Sequence, residues 1–377
     1  MRILLVSPLF FPHRSGVVTV VSRLASYLRE KGNYVEILTA HPGFCGQLEF
    51  KGVPVRYAAS INHGKEYILS PGLVATFVRN RDFDLAHGFD YQSFASYLVM
   101  LSQRLFDSSI PFCFSPQYHP VGGSTFRTAL RSVLKPAGSW ILNSSDKVIC
   151  ISRYERELIL RDFCLKNDNM EVIPLGVDMH DAGNETKPSR DRSMHILYVG
   201  RLEKYKGVHL ILKALSCLRT ERISLSVVGA GSYENELKRL TNALCLQSKV
   251  SFIGRASDAT LDQLYRKVDA LVLPSLFESF GLTILEAMSY GKAVISTNVG
   301  VMYDLCRLNQ LQSRLVLTLP PDPQDLVKKM RFLLDEPDLV EQIVRKNREI
   351  LEHNYSWEAI CCKIGKLYSS IVGEKVS

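Results

Sequence analysis

Pro274-Ser275-Leu276-Phe277-Glu278-Ser279-Phe280-Gly281-Leu282-Thr283-Ile284-Leu285-Glu286-Ala287-Met288 is the stretch that decides how this chain folds. The apolar run Ala270 to Leu273 stops at Pro274, a loop carries Glu278, and a helix begins near Gly281 with Glu286 about one turn inside it. Strand, loop and helix in that order make half of a βαβ unit. In such a unit the free amides at the helix start face the crevice at the strand's carboxyl end, where a diphosphate is favoured. Glu286 is then placed to accept hydrogen bonds from a ribose diol, and Glu278 from hydroxyls of a sugar. Taken alone, the two glutamates also suit a solvated helix face. A shared attack on one glycosidic bond is disfavoured, because a fully helical 278–286 would set the two backbones about 12 Å apart.

Working outward, Tyr198-Val199-Gly200-Arg201-Leu202-Glu203-Lys204-Tyr205-Lys206-Gly207 reads as a strand that ends in glycine and is followed by cations. Arg201 and Lys206 on one loop suit neutralisation of a diphosphate leaving group without a metal, although basic residues after a strand are commonly just solvated. Around these motifs apolar runs alternate with helix-period segments. Ile3 to Ser7, Tyr34 to Ala40 and Val148 to Ile151 read as strands of one set. His195 to Val199, Ile223 to Val228, Val250 to Ile253, Ala270 to Leu273 and Ala293 to Ser296 read as strands of another. Alternation of this kind predicts parallel sheets and an α/β fold. The polar stretch His180 to Arg192 breaks the pattern. The expected organisation is a domain over 1–179, a linker over 180–194, a second domain over 195–355, and a helical tail over 356–377 that packs back on the first domain.

A length of 377 residues with 46% hydrophobic content suits two cores rather than one. The net charge of +8 leans toward anionic partners without demanding nucleic acid. The nine cysteines form no C-x-x-C pair, so neither a zinc site nor a disulfide framework is expected, and a reducing, cytoplasmic setting is the default. Pro8 and Pro12 interrupt the apolar start and His13-Arg14 follow it, which argues for a buried first strand rather than a signal peptide. No run is long enough to span a bilayer. Between Ser108 and Ser145 there is no acidic residue, and Arg127, Arg131 and Lys135 recur every four positions beside Phe126, Leu130 and Leu134. That face suits peripheral contact with an anionic membrane, on the inner side for a cytoplasmic protein, and equally suits plain solvation.

The combination of motifs resembles the glycosyltransferases of family 4, over almost the whole chain. The resemblance implies the GT-B fold, in which two Rossmann-like domains turn their parallel sheets toward a central cleft, and a retaining transfer from a nucleoside-diphosphate sugar. It implies that Arg201 and Lys206 hold the diphosphate, that Glu278 lies near the donor sugar, that Glu286 binds the ribose, and that the amides of Phe280, Gly281 and Leu282 cradle phosphate. Val250-Ser251-Phe252-Ile253-Gly254 is similar to the family's nucleobase edge, which brings in Ile253. Phe11-Pro12 with Ser15-Gly16-Val17 resembles its first glycine loop, where Gly16 stands for the usual two glycines. His119, in Ser115-Pro116-Gln117-Tyr118-His119-Pro120, falls where the family tends to carry a histidine close to the transferred sugar; a lone histidine is otherwise a packed or solvent-facing residue. Leu175, Gly300-Val301 and Asp304 depart from the family pattern and weaken inference about the donor.

Other patterns are set aside. Asp82-Phe83-Asp84 has a metal-binding D-x-D form but reads better as the lead into the strand Leu85 to His87. Gly229-Ala230-Gly231 lacks the third glycine of a dinucleotide fingerprint, and Gly291-Lys292 lacks the earlier glycine of a P-loop. The expected function is transfer of a sugar to a glycan or lipid-linked acceptor, with no cofactor and no metal required. The rivals are a GT-B sugar-nucleotide epimerase, which needs no acceptor, and a silent sugar-nucleotide or glycan-binding protein, which would be free to lose any of Arg201, Lys206, Glu278 and Glu286.

Overall fold

The computed structural model describes residues 1–13, 15–41, 44–60, 70–79, 82–91, 93–106, 110–118, 125–163, 165, 169–180 and 193–376. The chain divides into two compact units, 1–176 with 357–377, and 177–356. Of the expected linker, 180–194, residues 181–192 lie outside the described ones.

Among the described residues, the sheet of the first unit contains β1 (Arg2–Ser7), β2 (Tyr34–His41), β3 (Gly46–Phe50), β4 (Val53–Ala59), β5 (Leu85–Phe89), β6 (Phe112–Ser115), β7 (Lys147–Cys150) and β8 (Met170–Val172). Its order is β3-β4-β2-β1-β5-β6-β7-β8. Every pairing is parallel except the β3–β4 hairpin. The helices are α1 (Gly16–Glu30), α2 (Pro71–Arg79), α3 (Phe94–Phe106), α4 (Thr125–Ser144) and α5 (Arg153–Asp162). β1 is almost wholly buried, which is why Ile3 to Val6 read as a continuous apolar run instead of an alternating one; β5 is buried throughout and carries one polar side chain, His87.

The second unit carries β9 (Met194–Val199), β10 (Ile223–Val228), β11 (Val250–Gly254), β12 (Ala270–Leu273), β13 (Ala293–Thr297) and β14 (Val316–Leu317), in the order β11-β10-β9-β12-β13-β14 and all parallel. Its helices are α6 (Val208–Cys217), α7 (Glu234–Ala243), α8 (Asp258–Lys267), α9 (Leu282–Ser289), α10 (Val301–Leu308), α11 (Pro323–Asp335) and α12 (Pro337–Asn354).

The tail, α13 (Trp357–Val376), belongs to the first unit and packs along α1. Its apolar residues Ile360, Ile364, Leu367, Tyr368 and Ile371 are all buried there. The Tyr368 hydroxyl meets Nδ1 of His87, whose Nε2 lies 2.9 Å from Ser115 Oγ. Burial pushes His87 down to about 3, so the ring is neutral and this bond stays intact at physiological pH.

Candidate active site

In the second sheet the chain runs from β9 outward to β11, then returns to add β12 on the other flank of β9. At such a reversal the loops leaving the two neighbouring strands diverge, and a crevice opens at their carboxyl ends. β9 leads into Gly200–Lys206 and β12 into Pro274–Gly281, so strand order alone brings the two sequence motifs together.

The first loop is tightly fastened. The buried Tyr198 donates its hydroxyl to the Arg201 carbonyl at 2.8 Å, and Leu276 N–H donates to the Tyr205 carbonyl at 2.8 Å, tying one loop to the other. Lys204–Lys206 form a 3₁₀ turn closed by Gly207 at φ +77°. A Cβ at Gly207 would stand 2.2 Å from the Pro274 carbonyl oxygen, so the loops approach this closely only because residue 207 has no side chain.

Lys206 and Glu278 meet at 2.7 Å (Nζ to Oε1), with each side chain only 10% exposed. Ser275 Oγ donates to the same carboxylate oxygen at 2.7 Å, and Thr297 Oγ1 fixes the Ser275 carbonyl at 2.6 Å. Desolvating both ions is expensive, and the attraction offsets it only with good geometry and extra hydrogen bonds, which Ser275 supplies. Arg201 is exposed, its Nη2 donating to the Tyr205 hydroxyl at 2.8 Å. The two cations therefore differ: one is held in the floor of the crevice and one stands at its rim.

Beyond Glu278 the backbone turns at Phe280, which is buried, and Gly281 caps α9. The first amides of α9, those of Leu282 and Thr283, have no carbonyl in their own helix to reach, which is the arrangement that attracts an anion, while Ile284 N–H already donates to the Gly281 carbonyl at 2.9 Å. Val301 N–H donates to the Phe280 carbonyl at 2.7 Å and pins this corner. One turn into α9, Glu286 accepts from the Tyr265 hydroxyl at 2.9 Å. Burial raises its pKa above the ordinary carboxylate value, the Tyr265 bond works against that rise, and Asp258 adds to it. The two glutamates thus occupy different settings, one ion-paired and one bonded to a phenol.

Ile253 is not gathered into this cluster. It lies on β11, two strands from β9, where the register passes from Val227↔Phe252 to Val228↔Gly254 and leaves it opposite no residue. The bulge re-aims its side chain, which is 38% exposed. Gly16 opens α1 at the carboxyl end of β1 in the first unit, next to the N-cap Ser15. His119 lies outside the described residues, as do the side chains of Arg127 and Arg131 on α4. Lys135 is exposed, with its Nζ 5.8 Å from the centroid of the Phe163 ring. Asp84 Oδ2 accepts from Arg2 N–H at 2.7 Å and Asp82 pairs with the Arg2 guanidinium at 3.4 Å, so the D-x-D residues fasten the start of β1.

Two residues escaped the sequence reading. Glu155 is wholly buried and accepts the backbone N–H groups of Ile151, at 2.6 Å, and of Tyr118, the residue before His119. Burial pushes it up to about 7 although both amides pull it down. Ser152-x-x-Glu155 after a strand is a capping-box signature that was available as a signal, and Ser152 Oγ does cap the helix at 2.9 Å. Tyr265 is the other; in the sequence it is one more buried aromatic of an amphipathic helix.

Residues 14–181 match the family model described as Glycosyltransferase Family 4, and residues 184–350 match Glycosyl transferases group 1. The chain is 28% identical over 242 residues to a glycogen synthase of Mycobacterium tuberculosis, a match covering 64% of this chain and 58% of that protein. It is 26% identical over 387 residues to a phosphatidyl-myo-inositol mannosyltransferase of Mycolicibacterium smegmatis, covering 99% of this chain and 95% of the other. Among solved structures, sucrose-phosphate synthase from Thermosynechococcus elongatus superposes with a TM-score of 0.79 at 22% identity, over 99% of both chains. Anabaena HepE in complex with UDP and glucose superposes with a TM-score of 0.77 at 20% identity, over 98% of this chain and 100% of the other.

Proposed function

From a chain that belongs to the GT-B glycosyltransferases of family 4, we propose a retaining transfer of a hexosyl group from a nucleoside-diphosphate sugar to a glycan or lipid-linked acceptor. One observation carries this reading: Arg201, Lys206, Glu278, Glu286 and the start of α9 meet at the single strand-order reversal of the second sheet. In the proposed donor complex Arg201, Lys206 and the α9 amides hold the diphosphate, Glu286 accepts from the ribose and Glu278 lies by the sugar. As the glycosidic bond breaks, the cations and amides stabilise charge growing on the leaving oxygen. The acceptor hydroxyl attacks from the same face and passes its proton to the leaving diphosphate, so no protein nucleophile is involved. Ile253 serves the base; for Gly16 and His119 the proposal rests on the resemblance alone. The lipid and polysaccharide activities in the relatives' names support the acceptor class.

A panel of UDP, GDP, ADP and CDP tests the donor half by thermal shift, since a ligand of the folded state raises Tm by mass action. One base should shift Tm well beyond the others. Turnover should be nearly unchanged in EDTA, because the positive potential comes from the protein. Loss of activity in chelator with recovery in manganese would overturn metal independence. Nucleoside diphosphate released without any acceptor would favour an epimerase instead.

We also propose that the first unit touches an anionic membrane surface. No helix of the described residues is long and apolar enough to cross a membrane. Leu101, Leu105 and Phe106 on α3 and Trp140 on α4 are exposed, and Arg104 donates to the Ser144 carbonyl, joining the ends of the two helices. These apolar groups lie on the helix pair that carries Arg127, Arg131 and Lys135. Three cations at about 1 kcal/mol each give reversible attachment only. Co-sedimentation with phosphatidylserine-containing vesicles should fall with salt and on replacing the three cations by alanine; indifference to either change rules the contact out.

A further inference from the structure

Glu286 does not stand alone on its helix. The Tyr265 ring, on α8, stacks on Tyr290 with centroids 5.2 Å apart and planes 16° from parallel, and Tyr290 stacks in turn on His180 at 4.0 Å and 10°. Tyr290 donates its hydroxyl to Asp262 Oδ1 at 2.7 Å, Arg266 pairs with Asp262 and lies over the same ring, and Arg348 of α12 donates to the carbonyls of His180 and Ser289. Three rings are thereby fixed in a column whose last polar atom is the Tyr265 hydroxyl, aimed at Glu286 Oε2.

Resting on the reading of Glu286 as the ribose acceptor, we propose that Tyr265 is its positioning residue. The phenol, clamped by Tyr290 and His180, occupies Oε2 and so holds the carboxylate ionised, in one rotamer, with its other oxygen turned to the nucleoside. The phenol itself stays protonated, because burial holds its pKa well above the ordinary value. The groups acting on Glu286 from α8 are Tyr265 and Asp258, and Tyr290 closes its own helix. Strands β12 and β13 behind it carry no ionisable side chain, and α12, packed along α9, brings Arg348, whose guanidinium donates to the Ser289 carbonyl. α10 carries Tyr303 with Arg307 over its ring, Asp304, which faces Tyr355, and Cys306, whose thiol burial pushes up. Protonation of Glu286 removes an acceptor, so nucleotide affinity falls as pH falls through its pKa. Without the Tyr265 donor that pKa rises further, and the loss of affinity moves to higher pH.

The test measures the affinity of UDP, or of GDP or ADP if that shifts Tm most, and of its 2′,3′-dideoxy counterpart, from about pH 5 to 8.5. The phosphate's own titration is common to every protein compared. In Tyr265→Phe, which keeps the ring and its stack, the acid limb should move up by about one pH unit while affinity at alkaline pH stays within about 3-fold of wild type. Preference for ribose over dideoxyribose should shrink in the acid range. Asp258→Asn, on an exposed side chain, should move the limb the other way and so assign it to Glu286. A Tyr265→Phe protein whose affinity drops equally at all pH values, or whose limb and ribose preference match wild type, overturns the positioning role. Glu286→Gln should abolish both the limb and the ribose preference; if it leaves them unchanged, the reading of Glu286 itself fails, whatever Tyr265→Phe does.

Discussion

Glu278→Gln is expected to lower kcat by about 10²-fold or more, as for other lost contacts to a transition state. Positive charge develops on the sugar ring as its bond breaks, and an anionic oxygen beside that ring stabilises it more than an amide does. The same substitution has a cost in the folded state. Lys206 is buried against Glu278 at 2.7 Å, so glutamine leaves an ammonium without its counter-charge. Breaking one side of a buried pair is strongly destabilising, here about 3 kcal/mol because glutamine still offers an oxygen to Ser275 and Lys206. Adding Lys206→Met should restore most of that stability, since it removes the uncompensated buried ammonium while the glutamine oxygen keeps its bond from Ser275, yet should not restore turnover. Melting curves and steady-state kinetics on the two variants separate the effects. Near-normal kcat in the single variant would remove Glu278 from the sugar, and an unchanged Tm would show the pair to be energetically neutral.

The strands were the most legible feature. Ile223 to Val228 and Ala270 to Leu273 match β10 and β12 residue for residue, because a parallel strand covered on both faces is mostly apolar: β12 is so throughout, and β10 is interrupted only by Ser224 and Ser226. The β3–β4 hairpin left a weaker trace: β3 is largely exposed, and its turn is Lys51-Gly52, both at positive φ, where Asn-Gly is the usual signal. Among the candidate site residues, the sequence pointed to Arg201, Lys206, Glu278 and Glu286 individually, through their places at strand ends and helix starts. It did not reveal the bond between Lys206 and Glu278, which lie 72 positions apart, since that depends on β12 returning to the flank of β9. Tyr265 was invisible for a related reason. Its hydroxyl matters only because α8 and α9 are neighbours in space, and its apolar ring satisfies the helix pattern whether or not the oxygen has a partner.

Gly300→Ala is expected to lower kcat/KM by about 10²-fold or more without touching any donor-binding side chain. Gly300 sits at φ +59°, ψ −135°, a combination essentially confined to glycine, at the turn from β13 into α10. A Cβ there would stand 2.4 Å from the Phe280 carbonyl oxygen and 3.2 Å from the Glu278 Cβ. The first of these contacts is with backbone that Val301 N–H already holds at 2.7 Å, so no side chain can swing away to relieve it. Residues 278 to 281 must shift instead, carrying Glu278 and the start of α9 with them, and a misplacement of about 1 Å at a reacting centre costs about 10² in rate. Strain and the lost Phe280 bond together should cost about 3 kcal/mol of stability. Gly32→Ala is the control: it too has a positive φ, +82°, but nothing lies within 4 Å of the added carbon. It should lose about 1 kcal/mol from backbone strain and keep wild-type kinetics. If Gly300→Ala, assayed well below its Tm, turns over like wild type, then the corner at Phe280 does not position the donor and the phosphate cradle lies elsewhere.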